Sequence, residues 1–163
     1  MDDYTDIFNG WDPSPVRRRD LDPDLVDFLE QCASDIPVEF PVELQFYVPD
    51  AKCDKDKETR TIEGIKNNFS FTAHFIGKEL EEIRRKVLRY AIASLAFLSI
   101  GYISRHYVDP NMFTTILTEG ISIGGWVFLW EAFSLSFFSG QEIHNRLKGY
   151  RRFQESKITF NRS

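Results

Sequence analysis

The sequence predicts an α-helical membrane protein: a two-helix transmembrane hairpin carrying a small α/β domain built from its N- and C-terminal segments. Three observations lead there. Charged residues make up 28% of the 163-residue chain, yet Tyr90–Gly140 contains only Arg105, Asp109, Glu119 and Glu131, with His106. Two apolar runs are separated by the turn-forming "VDPN". Basic clusters lie outside both runs, where membrane-flanking residues are expected. Mean hydropathy of −0.32 conceals this segregation, and the asymmetry rather than the average indicates the class.

Residues 1–20 read as an extended arm. "WDPSP" holds two prolines, each of which restricts the residue before it. Ile7, Phe8 and Trp11 are apolar residues in a polar stretch and are expected to anchor the arm on its own domain or on a partner.

Residues 21–86 read as a cytoplasmic α/β domain of helix, strand and long helix. In "DLDPDLVDFLEQCASDIP", Asp22 is a suitable N-cap, Pro23 fits the first helical position and Asp24 favours the positive end of the helix dipole. Leu25, Phe28, Leu29 and Cys32 form an i, i+3, i+4, i+7 stripe. Val42–Val48 alternates between prolines and predicts a half-buried strand. Asp50–Asp56 is a charged loop. From about Lys57, Ile62, Ile65, Phe69, Ala73, Ile76, Leu80, Ile83 and Val87 mark one helical face, which Phe71 and Phe75 are expected to widen. Gly64 and Gly77 weaken this helix without ending it. Glu81–Arg85 and Glu82–Lys86 are spaced for i, i+4 pairs.

Residues 87–140 read as the hairpin. Between Arg89 and Arg105 lie 15 uncharged residues, a helical rise of about 22 Å against a hydrocarbon core of about 30 Å. The span therefore requires both arginines to extend outward. Tyr90, Tyr102 and Tyr107 lie near its ends as interface anchors. Phe113–Ser139 is long enough to span with tilt. Residues 141–163 read as a basic amphipathic helix with Ile143, Leu147 and Tyr150 on one side, then a short strand, "KITF". Lone strands are marginal, so "KITF" is expected to pair with Val42–Val48.

Acids inside an apolar hairpin require an explanation. If residues near 88 and 139 share an interface, Glu119 lies level with roughly residue 108 and Glu131 with roughly residue 96. Glu119 then falls near Arg105 and His106. Glu131 lies about 12 Å inside the near interface, where a charge costs several kcal/mol unless paired, protonated or hydrated. Arg89, Ser94 and Ser99 are its nearby polar candidates. Gly120 and Gly124 form a GxxxG, with Gly125 adjacent and Gly101 on the other helix, which permits close helix packing. Trp126 and Trp130 share a face and are expected to pack on the first helix or on a neighbour. Arg84, Arg85, Lys86 and Arg89 precede the first span. His144, Arg146, Lys148, Arg151 and Arg152 follow the second, so both termini are expected in the cytoplasm.

Other chemistry finds little basis. Net charge is −5, which argues against nucleic acid. Cys32 and Cys53 form no metal or disulfide pattern, and no cleavable signal peptide opens the chain. Phosphate-binding glycine loops are absent, and the 50–58 acids lack the calcium-loop pattern. His74, His106 and His144 are far apart in the chain and suggest no catalytic arrangement. We therefore expect no enzyme activity, cofactor or metal.

"DPSPVRRRDLDPDLVDFL" and "EGISIGGWVFLW" resemble segments of a family of small uncharacterised bacterial membrane proteins with an N-terminal DPSP…RDLD element and a two-helix apolar hairpin. Relatives in that family follow the core tryptophan with an Arg-Pro pair, whereas "WEAFSLSFFSG" stands here, so Glu131 departs from the pattern. The resemblance implies a bacterial inner-membrane protein with two spans and no assigned chemistry. Taken with the residues, it leads us to expect a structural or interaction component whose partners are the lipid bilayer and another protein or a second copy. The alternative is an oligomeric membrane-perturbing or ion-conducting effector.

Overall fold

A computed structural model describes residues 3–37, 39–49 and 54–162. Cys53 and most of the charged loop before residue 54 lie outside the described residues. The order of elements is a 3₁₀ turn (Tyr4–Ile7), α1 (Pro23–Ser34), β1 (Glu43–Val48), α2 (Lys55–Tyr107), α3 (Met112–Ser134), a π-helical turn (Leu135–Ser139), α4 (Gly140–Glu155) and β2 (Lys157–Arg162). The chain forms two units. One comprises residues 1–77 and 145–163, the other residues 78–144.

The first unit contains a two-stranded parallel sheet. Leu44 pairs with Ile158 and Phe46 with Phe160, in a register running from Glu43–Lys157 to Val48–Arg162. The expected pairing of "KITF" with the Val42–Val48 segment is present, and β2 continues two residues further. So small a sheet needs cover. Phe160 stacks on Phe46 at 5.4 Å and meets Tyr4 edge-on at 5.3 Å. The surrounding core joins Ile7, Phe8, Leu21, Leu29, Ala33, Ile65, Phe69 and Phe153.

The N-terminal arm is folded, contrary to the expectation of an extended segment. Asp3 and Asp6 form a capping box around the 3₁₀ turn. Phe8 bridges Leu21, with the Asn9 N–H donating to Asp20 O at 2.8 Å and the Asp22 N–H to Ile7 O at 2.9 Å. Ile7 and Phe8 are 1% and 3% exposed, whereas Trp11 is 95% exposed. Two of the three expected anchors therefore dock on the chain itself. Within residues 9–20, the Asp12 carboxylate accepts hydrogen bonds from the backbone N–H of Asp20 at 2.8 Å and of Ser14 at 2.9 Å. These bonds, that of Asp20 first, hold the Asp12 carboxyl below its ordinary value of 3.8.

Gly64 explains how the arm fits. A Cβ there would lie 2.5 Å from Val16 O and 3.0 Å from the Phe8 ring. The residue read as a weak point of the helix is where the arm's backbone crosses α2 closely.

The α1 cap is as expected: Asp22 accepts from the Asp24 and Leu25 N–H groups, with Pro23 at the first helical position. Its buried face is different. Leu29 and Ala33 are buried, while Phe28 and Cys32 are exposed. The contact side follows Leu25, Val26, Leu29 and Ala33, because the partner elements meet that side. Along α2, Ile65, Phe69, Ala73, Ile76 and Leu80 are buried as the period predicts. Phe71 and Phe75 do not widen this face: both are exposed, meeting each other at 4.6 Å. The Arg85–Glu81 pair forms at 2.6 Å; among the described residues Glu82–Lys86 does not.

The sequence places Arg152 among the membrane-flanking cations. Its guanidinium donates instead to the carbonyls of Ala33 at 2.9 Å and of Ile36 and Pro37 at 3.1 Å. It thus ties the end of α1 and the residues that follow it to α4. Nearby, the Tyr150 hydroxyl donates to Glu30 Oε1 at 2.5 Å. Burial, then this bond, push the Tyr150 hydroxyl above its usual range.

Gly64→Ala should destabilise the protein by about 1–3 kcal/mol despite alanine's better helix propensity, because overpacking against backbone outweighs it. Arg152→Lys should cost about 1–2 kcal/mol, since an ammonium cannot reproduce the fork. Thermal unfolding of the full chain in mild detergent checks both; an unchanged Tm would contradict these packing roles. The Asp12 carboxyl is depressed in the folded state, so its contribution is present above its unfolded value and is lost as pH falls through the folded one. Protease sensitivity of residues 9–20 should rise on acidification below about pH 3.8, and Asp12→Asn should show that sensitivity already at neutral pH.

Candidate functional site

The second unit holds the residues singled out within the apolar runs. α2 continues through Tyr107 without a break, residues 108–111 connect, and α3 starts at Met112. Asn111 caps α3 by accepting from the Thr114 N–H at 2.9 Å, while Thr114 Oγ1 accepts from the Asn111 N–H. The turn is thus encoded in "VDPNMFTT", where proline ends one helix and a capping box starts the next.

Glycines set how closely α2 and α3 approach. A Cβ on Gly125 would fall 2.8 Å from Leu98 Cγ, and one on Gly101 would fall 2.6 Å from Ser122 Oγ. Gly124 faces Phe97 at 3.4 Å. Gly120 differs: nothing lies within 4 Å of its Cβ position. Within the GxxxG, one glycine therefore packs inside the hairpin and the other is open. Phe128 fills the adjoining flank, stacked on Tyr90 at 6.1 Å and edge-on to Phe97 at 5.3 Å.

These contacts fix the helix register. Carried along both helices at equal rise, the 98–125 and 101–122 contacts place Glu131 level with Ile92 and Glu119 level with Ser104. Both lie one turn from the positions expected. The short connection at 108–111 determines register, whereas the expectation assumed shared outer ends.

Glu119 lines a small cleft with Ser104, Arg105, Thr115 and Thr118. Glu119 and Arg105 are thus neighbours, although no ion pair joins them among the described residues. The His106 ring meets Tyr107 edge-on at 5.0 Å and is exposed. Glu131 and Arg89 are also exposed. Among the described residues neither makes an ion pair or a hydrogen bond, so they do not form the expected pair within one chain. Ser94 is fully buried, and its Oγ has no hydrogen-bond partner among the described residues. Trp126 and Trp130 are 63% and 68% exposed. They do not pack on α2; Trp130 stacks on Phe133 of its own helix at 6.1 Å.

α3 passes into α4 through the π-helical turn, where the Gly140 N–H donates to Leu135 O. In the same unit Leu80, Ile83, Arg84, Val87, Ser136 and His144 line an open cleft of about 420 Å³. In the first unit, Arg17 of the run Arg17–Arg19 pairs with Glu63 at 2.8 Å, and Arg19 Nε donates to Ser14 O at 3.0 Å. Among the described residues no three His, Cys, Asp or Glu side chains gather as metal ligands. The feature with most physical consequence is therefore the outer surface of the hairpin. Sequence reasoning did not identify Leu98 and Ser122 as the counterparts of Gly125 and Gly101, since an apolar run carries no register of its own. No protein-family model matches the chain, and no curated protein or solved structure matches it significantly.

Gly125→Val and Gly101→Val should separate α2 from α3, while Gly120→Val should leave that contact intact. Disulfide formation between cysteines replacing Phe97 and Phe128, whose rings meet across the seam at 5.3 Å, in a background otherwise lacking cysteine reports on it. Equal cross-linking in all three variants would show that close approach at Gly101 and Gly125 does not hold the hairpin.

Proposed function

We propose that the protein is a membrane-anchored interaction component: the second unit spans a bilayer as a two-helix hairpin, and the first unit is presented at one surface. The observation that carries this reading is uncovered apolar area. Both α2 and the continuous helix Met112–Glu155 contain windows long and apolar enough to cross a membrane, with only 11% of each window buried. Leu88, Ile92, Leu95, Ile100 and Ile103 are exposed on α2; Ile116, Ile123, Trp126, Val127, Trp130 and Phe133 are exposed on α3. Soluble monomers rarely leave contiguous apolar patches beyond a few hundred Å², and lipid is a cover that demands no further protein.

Topology supports an even number of crossings. β1 and β2 pair within one unit, and the chain leaves that unit after Gly77 and re-enters it at Asn145. A segment that departs and returns to one folded body crosses a bilayer an even number of times. Basic residues at both outer ends of the hairpin then favour the cytoplasmic side for both termini. The resemblance of "DPSPVRRRDLDPDLVDFL" and "EGISIGGWVFLW" to small bacterial membrane proteins agrees with an inner-membrane location. Under this proposal the protein acts by binding and positioning, not by catalysis.

The protein should remain in the membrane pellet after carbonate and high-salt washing; recovery in the supernatant would overturn the proposal. In intact cells, exposed Cys32 should resist a membrane-impermeant thiol reagent in a Cys53→Ser background, and a cysteine replacing Asp109 should react. Reaction at Cys32 would reverse the orientation. Protection at residue 109 would indicate that the turn never crosses.

A further inference from the structure

We infer that a second copy of this chain packs on the hairpin flank that carries Arg89 and Glu131, with each copy's Arg89 meeting the other's Glu131. The inference rests on the membrane reading above and names the partner for that surface.

Four observations converge on this flank. Phe97 meets both Gly124 and Phe128, and Tyr90 stacks on Phe128, so these side chains lie along one side of the α2–α3 seam. Glu131 belongs to that side: at 100° per residue it falls about 20° from both Gly120 and Gly124 on α3. Arg89 belongs to it too, about 40° from Ala93 and about 80° from Phe97 on α2. Gly120 has open space at its Cβ position, which leaves a shallow groove where another helix can approach.

Depth makes the two charges complementary. Glu131 is level with Ile92 by the 98–125 and 101–122 contacts, three residues from Arg89 and hence about 4.5 Å from it along the axis. Arginine spans that offset with its side chain. A two-fold axis along the bilayer normal preserves depth. It sets α3 of one copy against α2 of the other, antiparallel, in the register the two helices already have within one chain. Viewed down this axis, Arg89 and the second copy's Glu131 point into the same outer groove. The contact is isologous, so one geometry satisfies both pairs.

The energetics favour this occupant over lipid. At the observed register Glu131 lies level with Ile92, about 6 Å inside an interface placed at residue 88, where an unpaired carboxylate is still costly, and it has no partner within its own chain among the described residues. Arg89 lies nearer that interface and likewise has no partner within its own chain among the described residues. Lipid tails satisfy neither group. A second copy supplies each with an opposite charge and closes the groove at Gly120.

The test uses the full chain, with donor- and acceptor-labelled copies mixed in lipid vesicles and energy transfer reporting association. Arg89→Glu and Glu131→Arg should each lower association about tenfold, in line with interhelical polar contacts in membranes, and the double reversal should restore it. Arg89→Gln and Glu131→Gln provide a milder cycle should the reversals impair insertion: the double variant should be no weaker than either single one. Gly120→Leu should also weaken association while the Phe97–Phe128 disulfide still forms. Carbonate extraction of the same samples separates the two levels of inference. A wild-type chain that fails to enter the membrane overturns both. One that enters and stays monomeric, or dimerises without sensitivity to charge reversal, overturns the Arg89–Glu131 contact alone.

Discussion

The parallel pairing of β1 with β2 is the constraint on which the rest of the architecture depends. It joins residues 43–48 to residues 157–162, so one folded unit is made from both ends of the chain. A two-stranded sheet has little stability of its own. It persists because Tyr4, Phe46 and Phe160 cover it and Leu44 and Ile158 enter the core. That core also draws on the 3₁₀ turn, α1, the first part of α2 and the end of α4. Everything between Gly77 and Asn145 is consequently an excursion, and its return is required by the sheet before any property of a membrane is considered.

Local chemistry made much of this legible in the sequence. Asp22-Pro23 starts α1, flanking prolines bound β1, and "VDPN" separates two helices whose caps are written in the residues beside it. The 3.6-residue period located the buried side of α2 through Leu80. What local chemistry does not contain is the choice between adjacent faces. Phe28 and Cys32 fitted a stripe as well as Val26 and Ala33 did, and only the position of neighbouring elements decided against them. Phe71 and Phe75 present the same ambiguity. Arg152 is ambiguous for a related reason: a basic residue in a basic tail looks like a solvated charge, and the carbonyls it bonds lie more than a hundred positions away.

Glycine illustrates how little a residue type conveys without its neighbours. Gly64 lowers helix propensity, yet its missing Cβ admits Val16 O and the Phe8 ring, which lets the N-terminal arm become part of the core. Gly101 and Gly125 perform the corresponding role between α2 and α3. Gly120, one turn from Gly124 in the same GxxxG, meets nothing in its own chain. The motif therefore divides its glycines between an internal contact and an open one, and a sequence pattern alone does not make that division.

The basic residues at the ends of the hairpin separate in the same way. Arg152 bonds carbonyls at and just beyond the end of α1, and Arg85 pairs with Glu81. Each of these cations is held by protein to some degree and contributes less to a simple count of membrane-flanking charge. The proposed orientation does not depend on that count alone. A chain that closes one unit from both its ends places those ends on one side of any bilayer the intervening hairpin crosses, whatever the balance of lysine and arginine. Charge then has only to choose which side. Arg84 and Lys86 before the first apolar run and Arg146 and Lys148 after the second supply that choice, against Arg105 and His106 at the connecting turn.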